Sequence, residues 1–186
     1  MKSQKPAGFA KLIYSPKSLC IAFLLVLTLL YAGNVRSSAV PTHALSIAEL
    51  TKRSDVIVLG TVSFVASDWN VNGTAIETRI DLKVEETFKG TVDQGKVSFH
   101  QLGGVVGEIA SSVGEAASFE EGEKVAVFLF KSNRDRLQLV GFFQGKFAVE
   151  RRHDGQMAVR RIPGVSKPLD QFPLDNFKLQ VQEAIT

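Results

Sequence analysis

Gln101 and Gln144 lie beside breaks where glycine interrupts strand periodicity, and these are the positions best suited to meet another molecule. Gln101 precedes Leu102, Gly103, Gly104 and Gly107; Gln144 lies between Gly141 and Gly145 and is followed closely by Lys146. Glycine lets a backbone approach a neighbour closely, and a glutamine amide both donates and accepts hydrogen bonds. A ligand-binding surface is therefore expected where 101–107 and 141–146 meet, built from Gln101, Gly103, Gly104, Gln144 and Lys146 with Trp69 at its edge. The same residues have a purely structural use, because both amides can bond backbone groups freed at bends in a sheet. Trp69 is either a platform for a sugar or a protein partner or a lid folded back on the domain. The sequence leaves both pairs of alternatives open.

Other chemistry is poorly represented. The histidines are His43, His100 and His153, and no spacing gathers the roughly three or four ligands that zinc needs. Glu120, Glu121 and Glu123 surround Gly122, but calcium takes roughly six to eight oxygens in a tight loop, so a solvated turn before a strand is expected. Glu77, Asp81 and Glu85 alternate with Arg79 and Lys83 on one strand face. Paired carboxylates can do acid–base work, yet interleaved opposite charges describe an ordinary wet face. There is no H-E-x-x-H, G-x-S-x-G or P-loop pattern. Gly103-Gly104-Val105-Val106-Gly107 departs from the dinucleotide fingerprint, because Leu102 stands where its first glycine belongs. Neither catalysis nor a cofactor nor a bound metal is expected.

The first 17 residues carry Lys2, Lys5, Lys11 and Lys17 and no acid; Leu19–Ala32 is apolar; Ser37, Ser38 and Ala39 are small. A basic start, a short apolar run and an A-x-A-like site describe a secretory signal peptide. Residues 1–39 are read as that signal, with cleavage before Val40, and the run is shorter than the roughly 20 residues of a spanning helix. Contact with a membrane is expected only through this segment. Removing it removes Lys2, Lys5, Lys11, Lys17 and Arg36 and leaves 17 basic against 19 acidic residues. The basic excess belongs to the leader, so the field that nucleic-acid binding requires is missing. The single cysteine, Cys20, goes with the leader. The domain 40–186 must then hold together through its core, without disulfides, and its length suits one domain.

The elements that must position the candidate residues follow from periodicity. Ser46 and Glu49 form a capping box before a short helix, Ile47 to Arg53. Residues 55–65 read as a strand with both faces apolar, which has to be covered on both sides. Residues 75–88 alternate strictly, with Ile76, Thr78, Ile80, Leu82 and Val84 on the core face. Residues 96–101 and 123–130 are further strands, the second doubly apolar. Residues 137–150 read as a strand interrupted near Gly141 and Gly145, and 157–162 as a weak edge strand. Residues 103–119 read as a long loop and 163–173, with three prolines, as a linker. Leu174, Phe177, Val181, Ala184 and Ile185 recur at helical spacing. The expected fold is mostly β: a small antiparallel barrel of five to six strands with a short N-terminal and a longer C-terminal helix packed on its doubly apolar strands.

Ser46 to Val62, Val84 to Gly90, Gln101 to Gly104, Phe119 to Leu129 and Gly141 to Phe147 together resemble a group of uncharacterised bacterial exported proteins. More distantly, SDVIVLGTV, VEETFKG and EGEKVAVFL are similar to the netrin-like domain of tissue inhibitors of metalloproteinases. That resemblance implies an OB barrel with terminal helices. The inhibitors present a disulfide-locked N-terminal cysteine to the protease zinc, and this chain has no cysteine after residue 20, so those residues do not carry over. The expected function is an exported, monomeric, non-catalytic binding module, periplasmic or extracellular, for a protein or polysaccharide. The alternative is a regulator of an exported protease.

Overall fold

The computed structural model describes residues 44–112, 114, 116–133, 135–161 and 171–186. The residues read as a signal peptide and its cleavage site, His43 and most of the proline linker lie outside the described residues. Among the described residues, no helix is long and apolar enough to cross a membrane.

Helix α1 (Ile47–Arg53) opens on the capping box: the Glu49 amide donates to Ser46 Oγ at 3.2 Å, and the Ser46 amide donates to the Glu49 carboxylate at 2.8 Å. Its buried face is Ile47, Leu50 and Thr51. Three antiparallel strands follow as a meander, β1 (Val56–Trp69), β2 (Ile76–Lys89) and β3 (Lys96–Leu102). The loop expected at 103–119 carries a small hairpin instead, β4 (Gly104–Val106) and β5 (Ile109–Ser111), paired only with each other. Strand β6 (Lys124–Lys131) returns to pair antiparallel with the first half of β1, from Val56 opposite Leu129 to Thr61 opposite Lys124.

The far edge of β6 is shared by two strands. β7 (Leu137–Leu139) pairs with its C-terminal part and β8 (Lys146–Arg151) with its N-terminal part, and a 3-10 turn over Phe142–Gly145 steps between them. This is the interruption foreseen at Gly141 and Gly145. A Cβ on Gly145 would sit 2.6 Å from the Val140 carbonyl oxygen, so the close return onto β6 requires glycine there. β9 (Met157–Arg161) pairs with β8 and is not an edge strand, because β10 (Gln171–Pro173) pairs with its other side. Helix α2 (Leu174–Ile185) starts directly after Pro173.

The sheet order is β10-β9-β8-β6-β1-β2-β3, with β7 beside β6. The described strands number ten, where five or six were expected. The sheet curls until β3 and β7 stand side by side, running parallel, but no ladder joins them. The described sheet is therefore not closed into the small barrel expected. One ion pair crosses that seam: Arg136, just before β7, donates to Glu77 on β2 at 2.6 Å.

Alternation through β1 and β6 divides the core in two. Val56, Val58 and Val62 with Val125, Val127 and Leu129 face an inner cluster shared with Ile80, Leu82, Phe99 and Phe119. Ile57 and Leu59 with Ala126 and Phe128 face the other way, onto Leu50 of α1 and Phe177 and Val181 of α2. The terminal helices thus cover the second face of the doubly apolar strands.

Candidate functional site

The seam between β3 and β7 opens into a cleft of about 240 Å³ lined by His100, Gln101, Leu102, Ala116, Phe130, Gln138, Leu139, Gly141 and Phe142. Strand period explains which residues reach it. Val97 and Phe99 of β3 point into the core, so His100 and Leu102 point outward. Leu139 of β7 points inward, and Gln138 therefore outward. The walls are mostly apolar. Among the described residues, the polar side chains are the His100 imidazole and the amides of Gln101 and Gln138. Neither His100 nor Gln138 makes a side-chain hydrogen bond to another described residue.

Phe142 is the unusual wall. It is 58% exposed, and its backbone has φ 57°, in the left-handed region directly after Gly141 at φ 61°. A bulky residue there costs roughly 1–2 kcal/mol relative to ordinary backbone. Its neighbour Phe143 turns into the inner core. The turn thus holds one phenylalanine inside while displaying the other beside the cleft, in a conformation that glycine or asparagine would adopt more readily.

The residues singled out from sequence are distributed unevenly around this feature. Gln101 lines the cleft, but its Nε2 donates to the Ala117 carbonyl at 2.7 Å and so ties down the segment leading to β6. Gly103 and Gly104 line a neighbouring hollow of about 340 Å³ under the β4–β5 hairpin. Gly104 lies so close to the Ser67 and Thr78 hydroxyls that a Cβ would collide with both. Thr78 in turn donates to the Gly103 carbonyl at 2.6 Å. These glycines seat the hairpin on β1 and β2. Trp69 ends β1, 41% exposed, and lines neither hollow.

Gln144 and Lys146, expected at a ligand surface, are inside the protein. Gln144 is 4% exposed, and its Oε1 accepts from the Leu45 amide at 2.7 Å. That is the structural use of the amide: it fastens the segment before α1. Lys146 is 2% exposed and donates to the Ser118 carbonyl at 2.5 Å and to Glu123 at 2.6 Å, with its ammonium 4.4 Å from the Phe119 ring centre. Burial pushes its pKa below the ordinary lysine value, and the Glu123 carboxylate opposes that only in part. This cation staples 118–123 over the inner core.

The other chemistry considered finds ordinary partners. Glu77 binds Arg136, Asp81 binds Arg79 at 2.7 Å and also accepts from Ser98, and Glu85 binds Lys124 at 2.5 Å. Among the described residues, no His, Cys, Asp and Glu side chains gather as a metal-binding cluster. His100, Phe130, Gln138 and Phe142 are the site residues that sequence reasoning missed. Alternation in 96–102 already puts His100 on the outward face. Nothing local places β7 across from it.

No protein-family model matches the chain, and no curated protein matches it.

Proposed function

We propose that this is an exported, non-catalytic binding module whose partner is a protein, and that the seam cleft takes one large apolar side chain of that partner. The strand order supports an OB-type reading of the fold. A three-strand meander is followed by β6 returning beside β1 and β7 standing parallel to β3, which amounts to a small barrel split along one seam. Such folds bind through loops and one sheet face. Export rests on the signal-like residues 1–39, and the netrin-like resemblance agrees with the terminal helices.

The observation that carries the reading is Phe142, a displayed phenylalanine in disfavoured backbone beside an apolar cleft. Local strain persists where surrounding structure enforces it, and it concentrates at working surfaces. Size and polarity narrow the partner. Drug-sized ligands occupy roughly 300–1,000 Å³, and this cleft is smaller, suited to a single side chain. A sugar ring would bring several hydroxyls to a cleft where, among the described residues, the uncommitted polar side chains are His100 and Gln138. Each hydroxyl left unpaired costs about 1–3 kcal/mol. An apolar side chain carries no such penalty, and this favours protein over polysaccharide.

A random peptide library displayed on phage, selected against the purified protein, tests this reading. Enriched peptides should share one large apolar residue, and the Phe142→Asn variant should not capture them. Asparagine tolerates left-handed backbone, so the variant folds. Failure to enrich any peptide, or equal capture by the variant, contradicts the proposal.

A second reading, regulation of an exported protease, is favoured by one contact. Leu45 is buried and bonded to Gln144, so the chain is fastened to the domain a few residues after the proposed start at Val40. Inhibition through the terminal amine would disappear on acetylating that amine; inhibition that survives acetylation excludes the amine mechanism.

A further inference from the structure

We infer that His100 makes the seam cleft a pH-dependent grip, which holds an apolar segment of a partner while the imidazole is neutral and releases it when the imidazole is protonated. The inference rests on the cleft reading above and adds its regulation.

The surroundings of His100 decide the matter. On β2, Arg79 is its register partner, with Glu77 and Asp81 on either side. From the turn before β7 comes Arg136. β7 contributes Gln138, β6 contributes Phe130, and the segment before β6 contributes Ala116, all uncharged. Both nearby carboxylates are already engaged, Glu77 with Arg136 and Asp81 with Arg79 and Ser98. Among the described residues, an imidazolium here would meet two arginines and two carboxylates already held in ion pairs. Burial first, and then Arg136 and Arg79, hold the His100 pKa below its ordinary 6.5, against the opposing pull of Glu77 and Asp81.

A ligand filling the cleft removes water that still reaches the ring. Desolvation disfavours the charged form further, so the complex binds the proton less well than the free protein does. Linkage sets the sign: affinity is constant where His100 is neutral in both states and falls as pH drops through the pKa of the free protein. For one proton the fall approaches about tenfold per pH unit. The neutral ring also has one acceptor and one donor, both suited to the main chain of a bound segment, and protonation abolishes the acceptor.

N-acetyl-phenylalanine amide is a suitable probe, uncharged, with one apolar side chain between two amides. It is titrated into the nitrogen-15-labelled protein, and the backbone signals of Leu102, Gln138 and Phe142 are followed at about pH 7.5, 6.5 and 5. The comparison variant is His100→Gln, which keeps a hydrogen-bonding side chain but does not titrate. The wild type should lose affinity as pH falls through the His100 pKa, which lies below 6.5, with the loss approaching about tenfold per pH unit below it, while His100→Gln stays flat. A flat wild-type profile, or the same slope in His100→Gln, overturns the pH grip and leaves the cleft reading standing. Absence of binding at every pH overturns the cleft reading and the grip with it. Circular dichroism at each pH establishes that the fold is intact.

Discussion

Replacing Phe177 by alanine tests whether α2 belongs to the cooperative core. The side chain is completely buried, with ring centres at 5.3 Å from Phe147, 5.9 Å from Phe128, 6.2 Å from Phe88 and 6.3 Å from Phe172. Phe128 and Phe147 lie on paired strands of the sheet, so the walls of the resulting cavity are held by ladder hydrogen bonds and collapse little. Phenylalanine-to-alanine changes in such sites cost about 3–5 kcal/mol. Two of the four rings meet Phe177 nearly edge-on, at 84° and 82°, an arrangement that adds about 0.5–1.5 kcal/mol per pair beyond burial. The upper half of the range is therefore expected. In a domain of this size each kcal/mol moves the melting temperature by roughly 2–4 °C, which gives a drop of roughly 10–15 °C in a calorimetric scan. Leu179 on the same helix is 55% exposed, and Leu179→Ala should change stability by less than about 0.5 kcal/mol. Equal effects of the two variants, or a melting temperature unchanged by Phe177→Ala, would refute the packing argument.

Gln144→Ala should lower stability by about 1–3 kcal/mol in urea titrations, since it strands the buried Leu45 amide; a change within error would show that the amide serves something else. Lys146→Ala removes the partner of Glu123 and of the Ser118 carbonyl and should cost about 1–3 kcal/mol. Adding Glu123→Gln to it should then cost little more, and a fully additive double-mutant cycle would deny the coupling. Amino-terminal sequencing of exported material should begin at Val40, and an intact Met1 would contradict export by cleavage.

Much of the scaffold is visible in local pattern. Ser46 and Glu49 announce α1, strict alternation announces β2, and the doubly apolar residues 56–59 and 125–128 state that two layers must cover them. What escaped depends on distant contacts. Leu45 lies 99 residues from the Gln144 amide that fixes it, so nothing beside Gln144 marks it as buried. Lys146 reads as a surface cation until Glu123, Ser118 and Phe119 close over it. The β4–β5 hairpin has three residues on each side, too short for a periodic signal. Phe142 and Phe143 look alike in an apolar stretch, and only the left-handed backbone after Gly141 sends one outward and the other inward. The sequence points to the glycine-broken segments at 101–104 and 141–146, and Gln101, Leu102, Gly141 and Phe142 from them line the proposed cleft. The strand residues His100 and Gln138 line it as well, and only the pairing of β7 with β6 brings Gln138 there.

In the proposed complex, a partner's apolar side chain enters the seam between β3 and β7. Intermolecular nuclear Overhauser effects between a library-selected peptide and the protein measure this directly. Contacts are expected from one apolar side chain of the peptide to the ring of Phe142, to Phe130 and to the Leu102 methyl groups. Contacts confined to Trp69 and the β1–β2 turn, or to the β4–β5 hairpin, would contradict it.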